Sequence, residues 1–179
     1  GLRWDRQTYS RQRQWSPRLN LVWLAGERSE IRLGAGRYAQ SLRLNELRIE
    51  DGETAYAPPE ICEQLDIAYI HRFSRAWNLR IDAYRHRFGR LQPRPENLFH
   101  PLELFPEVEP DRVLVTPESA ELHGVEFSLS GSVGAPFQWM VNYTWSHAAD
   151  VVSGASVLRS WDQPHAGGFL LAYRWRPGW

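Results

Sequence analysis

The residues from Phe137 to Ala148 alternate strictly between two kinds of side chain. One set is aromatic or aliphatic and comprises Phe137, Trp139, Val141, Tyr143 and Trp145. The other set is mostly polar and comprises Gln138, Met140, Asn142, Thr144 and Ser146. A period of two predicts a β-strand with one face of each kind. In a soluble sheet the aromatic face packs inward, whereas in a membrane barrel it meets lipid and the polar face lines the lumen.

The same alternation recurs along the chain and predicts about eight strands, many near the ~9–11 residues that cross a bilayer at a tilt. The stretches are LRWDRQTY, SPRLNLVWL, SEIRLGAGRY, EQLDIAYIHRF, AWNLRIDAYRHRF, ELHGVEFSLSGSV, FQWMVNYTWSHA and AGGFLLAYRW. No segment has a convincing helical period. We therefore expect an all-β fold whose strands follow one another as an antiparallel meander.

The connections between these strands alternate between short and long. The short connections lie at 25–28, 74–76, 134–136 and 176–178. The connection at 10–14 occupies the place of a long connection in this alternation, although it is shorter than the others of that kind. Long segments at about 38–59, 89–118 and 149–164 are rich in Pro, Gly and acidic residues and have little pattern. Tight periplasmic turns and long outer loops are the layout of an outer-membrane barrel. We expect the three long segments to be outer loops.

Two hairpins can be paired from their turns, because facing residues of an antiparallel pair must lie on the same face. The turn at 74–76 pairs Phe73 with Trp77, Tyr69 with Ile81, and Ile67 with Ala83. The turn at 134–136 pairs Val133 with Phe137, Gly131 with Trp139, Leu129 with Val141, Ser128 with Asn142, and Phe127 with Tyr143. Both hairpins therefore have one apolar and one polar face, and an aromatic ring can cover the glycine at 131.

The apolar face is predicted to meet lipid, because aromatic residues lie near the turns and again farther along the strands, with aliphatic residues between them. Tyr and Trp favour membrane interfaces, since they combine an apolar body with a polar tip. The predicted lipid-facing residues are Phe73, Trp77, Leu79, Ile81, Phe127, Leu129, Phe137, Trp139, Val141, Tyr143, Trp145, Phe169, Leu171, Tyr173 and Trp175. Candidates to face the lumen are Arg80, Asp82, Glu126, Ser128, Ser130, Gln138, Asn142 and Thr144.

Composition excludes several classes of function. The 179 residues have a formal net charge of +0, which implies no bulk attraction to nucleic acid. No run approaches the ~20 apolar residues of a membrane helix. Met140 is the only methionine and no signal segment opens the sequence, so we expect a fragment or processed piece of a longer chain. Cys62 is the only cysteine, which excludes an internal disulfide framework and leaves a free thiol or a pairing elsewhere.

Several stretches resemble the TonB-dependent outer-membrane receptors, in the C-terminal half of their large barrel. They are GLRWDRQTY, WSPRLNLVWLAGERSEIRLGAGRYAQS, LRLNEL with EDG, ELHGVEFSLSG and RSWDQPHAGGFLLAYRW. Together they span nearly the whole chain, and their order and spacing carry the resemblance.

The resemblance implies that residues 1–179 are part of a large transmembrane β-barrel of about 22 strands, without the plug domain that such barrels enclose. It implies uptake of a scarce nutrient, such as an iron chelate or cobalamin, driven by TonB. The partners would be the lipid bilayer and lipopolysaccharide of a Gram-negative outer membrane, the receptor's own plug domain, and TonB through an N-terminal region. The transported ligand is not specified.

No catalytic, cofactor or metal site is expected from the residues. The best histidine pair, His71 and His86, would lie ~24 Å apart along neighbouring strands, which is too far to share a metal. His165 is expected to have a structural role at a loop-to-strand junction. No nucleophile elbow or other catalytic spacing occurs, so we expect no enzyme activity. Acidic residues in the long segments suit solvation of exposed loops, or a mouth that holds divalent cations.

Two other classes remain open from the residues alone. One is a complete small eight-stranded structural barrel, which would need a closing strand paired with residues 2–9. The other is a soluble carbohydrate-binding β-sheet domain, whose exposed tryptophans would stack on sugar rings and which would dissolve without detergent.

Overall fold

The computed structural model describes residues 1–8, 10–42, 47, 49, 52–100, 102, 104–105, 108–134 and 136–174. Its strands are β1 (Leu2–Arg6), β2 (Arg13–Leu24), β3 (Ser29–Gln40), β4 (Glu60–Arg72), β5 (Trp77–Gly89), β6 (Arg94–Asn97), β7 (Arg112–Val115), β8 (Ser119–Val133), β9 (Phe137–Val152), β10 (Ala155–Leu158) and β11 (His165–Tyr173). The central strands β4, β5, β8 and β9 have 13 to 16 residues, which exceeds the ~9–11 needed to cross a bilayer at a tilt.

Nine of these strands form one antiparallel sheet in the order β1-β2-β3-β4-β5-β8-β9, with β10 and β11 both on the far edge of β9. β10 pairs with Ala149–Val152, and β11 pairs with Phe137–Trp145. The two short strands therefore act as one strand interrupted at 159–164. This arrangement confirms the all-β meander of about eight strands expected from the alternation.

The register of both hairpins agrees with the register predicted from their turns. Across β4 and β5, Tyr69 faces Ile81 and Ile67 faces Ala83. Across β8 and β9, the facing pairs are Val133 with Phe137, Gly131 with Trp139, Leu129 with Val141, Ser128 with Asn142, and Phe127 with Tyr143. A slip of one residue would turn every side chain of a strand to the opposite face, so the agreement fixes both faces of the sheet.

Strand structure extends into all three segments predicted to be loops, and in 38–59 it does so only at the end of β3, which continues to Gln40. In 149–164, β9 continues to Val152 and turns at Ser153 and Gly154, whose φ angles of 52° and 75° suit a two-residue hairpin turn. In 89–118, β6 and β7 pair as a small separate hairpin. Four-residue strands are too short to show a period, and aspartate, here Asp150 in β9, is a residue type depleted in strands. The exposure of these segments to the outside of a cell stays a prediction.

The apolar face of the sheet is not covered by a second layer within the described residues. Among the described residues of both faces, the buried hydrophobic ones are Ile61, Ala68, Ala120, Ala148 and Ala149. Large apolar side chains remain exposed instead, with relative exposures of 51% for Leu65, 47% for Ile67 and 68% for Phe169. A large apolar face is unfavourable in water. It must therefore be covered by a non-aqueous environment, such as lipid, or by another protein surface.

In the described part of the chain, no helix has both the length and the apolar character required to cross a membrane.

Candidate functional site

All described residues that were predicted to face lipid share one side of the sheet, which we call the apolar face. The register places the odd-numbered residues of β4, β5, β8, β9 and β11 on this side. Phe73 follows β4 and lies on the same side, since its ring is 4.5 Å from that of His71. Trp175 lies outside the described residues. The structure thus brings these side chains together on an exposed surface, while their contact with lipid stays a prediction.

Aromatic rings on the apolar face form two groups. Near the turns, the ring centroids of Trp77 and Trp139 are 4.9 Å apart, and those of Phe137 and Tyr173 are 4.6 Å apart. Farther along the strands, the Tyr143 hydroxyl and Nδ1 of His165 form a hydrogen bond of 2.8 Å. The second group therefore carries polar tips, as residues at a membrane interface do.

The ring of Trp139 covers Gly131 directly. A Cβ added at Gly131 would lie 2.7 Å from Cζ2 of Trp139, closer than van der Waals contact allows. Only glycine leaves room for the indole at this cross-strand position, and the ring of Trp77 packs edge-on against that of Trp139. The sequence predicted this contact because Gly131 and Trp139 face each other in the register.

All residues predicted to face the lumen lie on the opposite side of the sheet, which we call the polar face. Arg80 donates hydrogen bonds of 2.6 and 2.7 Å to the carboxylate of Asp82, and Asp82 faces Glu126 across β5 and β8. A concavity of about 620 Å³ on this side is lined in part by Arg32, Asp66, Arg80, Asp82, Tyr84 and Glu126. Its mixed charges suit a hydrated surface or a polar protein partner better than an apolar ligand.

The β6–β7 hairpin is fastened to the end of β9 by a charge network that the sequence did not reveal. The carboxylate of Asp150, whose residue is 2% exposed, accepts hydrogen bonds from Arg94 and Arg159, the latter at 2.8 and 2.9 Å. We call these three residues the Asp150 network. Arg94 is 56 residues from Asp150 in sequence, so no local spacing could have indicated the contact.

Asp111, which directly precedes β7, is hydrogen-bonded to residues at the end of β6. Its carboxylate accepts a hydrogen bond of 2.9 Å from the Phe99 amide and another of 2.9 Å from Nδ2 of Asn97. The Phe99 hydrogen bond, supported by the one from Asn97, lowers the pKa of the Asp111 carboxyl below its ordinary value.

A second ionisable cluster lies on the apolar face, beyond Trp145. Arg85 donates hydrogen bonds of 2.7 and 3.2 Å to the carboxylate of Glu121, while the Nε of Arg87 is 3.7 Å from the same carboxylate. His123 and His147 face each other across β8 and β9, with ring centroids 5.1 Å apart. The sequence could have indicated that these two histidines meet, because the turn at 134–136 places residue 123 opposite residue 147 in the β8–β9 hairpin.

His71 and His86, the histidine pair considered for metal binding in the sequence, lie far apart. His71 pairs with Leu79 and His86 pairs with Gln64, so seven residues of β4 separate them, or ~24 Å. The Nε2 of His86 instead contacts the carboxylate of Asp66 at 2.9 Å. In the described ranges, no His, Cys, Asp or Glu side chains gather in a group of three or more that could hold a metal ion.

A meander of long antiparallel strands, with one exposed apolar face and one polar face, has the architecture of a section of β-barrel wall. The chain belongs to the TonB-dependent receptor family: the sequence model described as "TonB dependent receptor-like, beta-barrel" matches residues 1–179. No curated protein sequence matches the chain.

Two solved structures resemble the fold. One is the FrpB iron transporter from Neisseria meningitidis (F3-3 variant), with a TM-score of 0.64, 14% identity, and coverage of 93% of this chain and 25% of that one. The other is the FpvAI–pyocin S2 complex, with a TM-score of 0.61, 13% identity, and coverage of 92% and 21%. The chain therefore spans about a quarter or less of the length of these structures.

Proposed function

We propose that this chain forms part of the wall of a TonB-dependent receptor in a bacterial outer membrane, and that the receptor imports a scarce nutrient. The exposed apolar face carries this proposal, because no other described part of the chain covers it. The family assignment over residues 1–179 supports the same conclusion.

In this proposal the apolar face meets the bilayer and the polar face meets the lumen and the plug domain. The apolar face has its aliphatic band between two groups of aromatic residues, as membrane barrels do. The charged concavity on the polar face offers hydrogen-bonding groups to a polar plug surface. TonB would act through other parts of the receptor, so this segment has a scaffolding role rather than a catalytic one.

An iron chelate is the first ligand to test, and cobalamin is the second. One of the structural relatives is itself described as an iron transporter, which supports the order of testing. Bacteria that lack the complete receptor should lose growth on a ferric chelate as sole iron source, and a plasmid copy should restore it. Unchanged growth on ferric chelates, together with lost growth on limiting cobalamin, would exclude an iron chelate as the transported ligand and favour cobalamin.

Val141 and Asn142 provide a direct test of the two faces. They are sequence neighbours on opposite sides of β9, where Val141 faces Leu129 and Asn142 faces Ser128. A bimane dye is attached to a cysteine at each position in the complete receptor, with Cys62 replaced by serine so that only the introduced thiol reacts, and the receptor is reconstituted in lipid vesicles. Brominated lipid should quench the dye at Val141 and iodide should not, whereas the dye at Asn142 should respond in the opposite way.

The same experiment distinguishes the other classes of fold. If neither quencher reaches the dye at Val141, the apolar face is a protein core and the barrel assignment fails. If iodide alone reaches it, the face meets water, as in a carbohydrate-binding sheet with exposed aromatic residues.

A further inference from the structure

Two histidines face each other across β8 and β9, on the apolar face beyond Trp145. His123 and His147 are directly opposed in the register, and their ring centroids are 5.1 Å apart with an interplanar angle of 43°. Both residues are half-buried, so part of each side chain remains accessible from outside the sheet. We call these two residues the facing histidines. They lie past the aliphatic part of the face around Val141, toward the ends of the two strands.

The separation of the two rings suits a shared metal ion. Each imidazole nitrogen lies ~2.0–2.1 Å from a bound zinc ion, so two such nitrogens on one tetrahedral ion are ~3.3 Å apart. Rings whose centroids are 5.1 Å apart can each bring one nitrogen to that separation. Directly opposite residues of an antiparallel pair have closely spaced Cβ atoms, so the strands already hold both side chains near one point.

The surroundings of His123 determine which of its ring nitrogens is available. Its Nδ1 is buried, has no hydrogen-bond partner among the described residues, and lies 3.6 Å from Oε1 of Glu121. Metal-ligating histidines commonly direct their second ring nitrogen toward a carboxylate, which fixes the orientation of the ring. Arg85 holds the Glu121 carboxylate in place with hydrogen bonds of 2.7 and 3.2 Å. His123 would therefore bind a metal through Nε2, with its Nδ1 toward Glu121.

Two protein ligands leave the other coordination positions of an ion to water. A concavity of about 360 Å³, lined in part by both facing histidines, Ser119 and Ser156, has room for these waters. Imidazole nitrogens with water oxygens suit Cu²⁺ in a square-planar or tetragonal arrangement, and a given site generally binds Cu²⁺ more tightly than the other divalent first-row metals. Arg87 lines the same concavity, and its positive charge opposes a cation and limits the affinity.

We propose that His123 and His147 form a binding site for a divalent transition-metal ion, Cu²⁺ first, which joins β8 to β9 beyond Trp145. The site goes beyond the proposed function, because it depends on the register of these two strands and not on what covers the apolar face. A bound ion stabilises the folded hairpin, since the unfolded chain does not hold two imidazoles at this separation.

The test measures Cu²⁺ binding to the complete receptor, purified in detergent without a histidine tag, by calorimetry and electron paramagnetic resonance. We expect nitrogen hyperfine coupling from two imidazoles in the wild type. His123→Gln and His147→Gln should each remove that signal and weaken binding at least ~10-fold, the smallest usual loss even for a residue that only supports a metal ligand.

His71→Gln is the matched control. His71 is also a histidine of the apolar face, but it lies opposite Leu79 on one side and Ser29 on the other, so no second imidazole faces it. This variant should bind Cu²⁺ as the wild type does. Equal affinity and equal nitrogen coupling in the wild type and both variants of the facing histidines would overturn the proposal.

Arg87→Gln provides a test in the opposite direction. Removing this nearby cation should tighten Cu²⁺ binding about threefold, which corresponds to the modest effect of one exposed charge. A gain in affinity cannot result from misfolding of the variant, whereas unchanged or weaker binding would contradict the site. Quenching of the Val141 dye by brominated lipid, measured on the same preparation, reports separately on the barrel wall, so the two proposals can fail independently.

Discussion

At the scale of single residues, Gly131 controls how closely two strands can pack around an indole ring. Trp139 lies against the bare Cα of Gly131 and is contacted at 4.9 Å by the ring of Trp77. The three residues come from three neighbouring strands, so this one contact ties β5, β8 and β9 together beside their turns. Glycine is favourable here because of the space it leaves, which offsets its weak intrinsic preference for strands.

We expect Gly131→Ala to destabilise the barrel by about 1–3 kcal/mol, because the new methyl group would force the indole from its position. The measurement is the guanidinium midpoint of the complete receptor in detergent. Gly168→Ala is the matched control, since no atom lies within 4 Å of a Cβ at that glycine and the midpoint should hardly change. Equal midpoints for both variants would contradict the close contact.

Asp111 gives the β6–β7 hairpin a dependence on pH. Its folded-state pKa is lowered by the Phe99 amide, so its contribution to stability is present above the unfolded pKa and is lost as pH falls through the folded value. We expect hydrogen exchange at residues 97–100 and 108–112, corrected for intrinsic rates, to be slow at pH 7 and faster once the carboxyl is protonated in acid.

Asp111→Asn should produce the same fast exchange already at pH 7, because the neutral side chain is a weaker acceptor for the Phe99 amide. Glu109→Gln removes an equal charge next to the same strand and serves as the control. Exchange that is independent of pH in the wild type would show that Asp111 does not organise the hairpin.

At the scale of strands and hairpins, the Asp150 network joins elements that are distant in sequence. Asp150 lies two residues before the end of the long strand β9, Arg94 begins β6, and Arg159 follows β10. A buried carboxylate held by two guanidinium groups positions the small hairpin over the end of the main sheet. Removing such a carboxylate leaves two cations without their shared partner, which is more costly than replacing the whole network.

Asp150→Asn should therefore release the β6–β7 hairpin, with a loss of local stability of up to ~3 kcal/mol. Hydrogen–deuterium exchange of residues 94–97 and 112–115 should become faster, while the paired centre of β8 and β9 remains protected. Glu118→Gln removes the same charge from an exposed carboxylate that accepts a single hydrogen bond of 3.2 Å from Gly154, and it should have little effect. Unchanged exchange in Asp150→Asn would rule out the network as the fastening of the hairpin.

The sequence predicted the regular strands well because their information is local. The three-residue turns fix which residues face each other, and alternation then assigns Val141 and Asn142 to opposite faces. The β6–β7 hairpin and β10 were not predicted, because a four-residue strand shows no period. The Asp150 network was beyond sequence reasoning for another reason: its members meet only after β8 and β9 have returned the chain to the level of Arg94.

At the scale of the whole molecule, the described sheet has two edges that are not paired with each other. β1 has a partner only in β2, and β10 and β11 have a partner only in β9. Open edges offer unpaired backbone groups to other chains, and the apolar face adds a large surface that water does not favour. We therefore expect the stability of this segment to depend on the further strands and the membrane of the proposed barrel.

We expect the isolated chain of 179 residues to be insoluble in water and poorly folded even in detergent. Size-exclusion chromatography and thermal unfolding of the refolded chain provide the measurement, and the complete receptor in the same detergent is the control. A monodisperse soluble monomer with a sharp unfolding transition would contradict the membrane-wall assignment and favour an independent soluble domain.

The β6–β7 hairpin also has a consequence for the order of folding. Neighbouring strands of the main sheet are consecutive in sequence with two exceptions: β9 and β11, which flank the short strand β10, and β5 and β8, which residues 90–118 separate. Closing a loop costs about 0.6 kcal/mol more for each doubling of its length. Because the hairpin brings Arg94 beside Val115, its formation shortens the open path between β5 and β8 to about ten residues. An isolated hairpin is only marginally stable in water, and Asp150 of β9 fastens this one, so we expect the hairpin to hold this shortened connection only once β8 and β9 have paired.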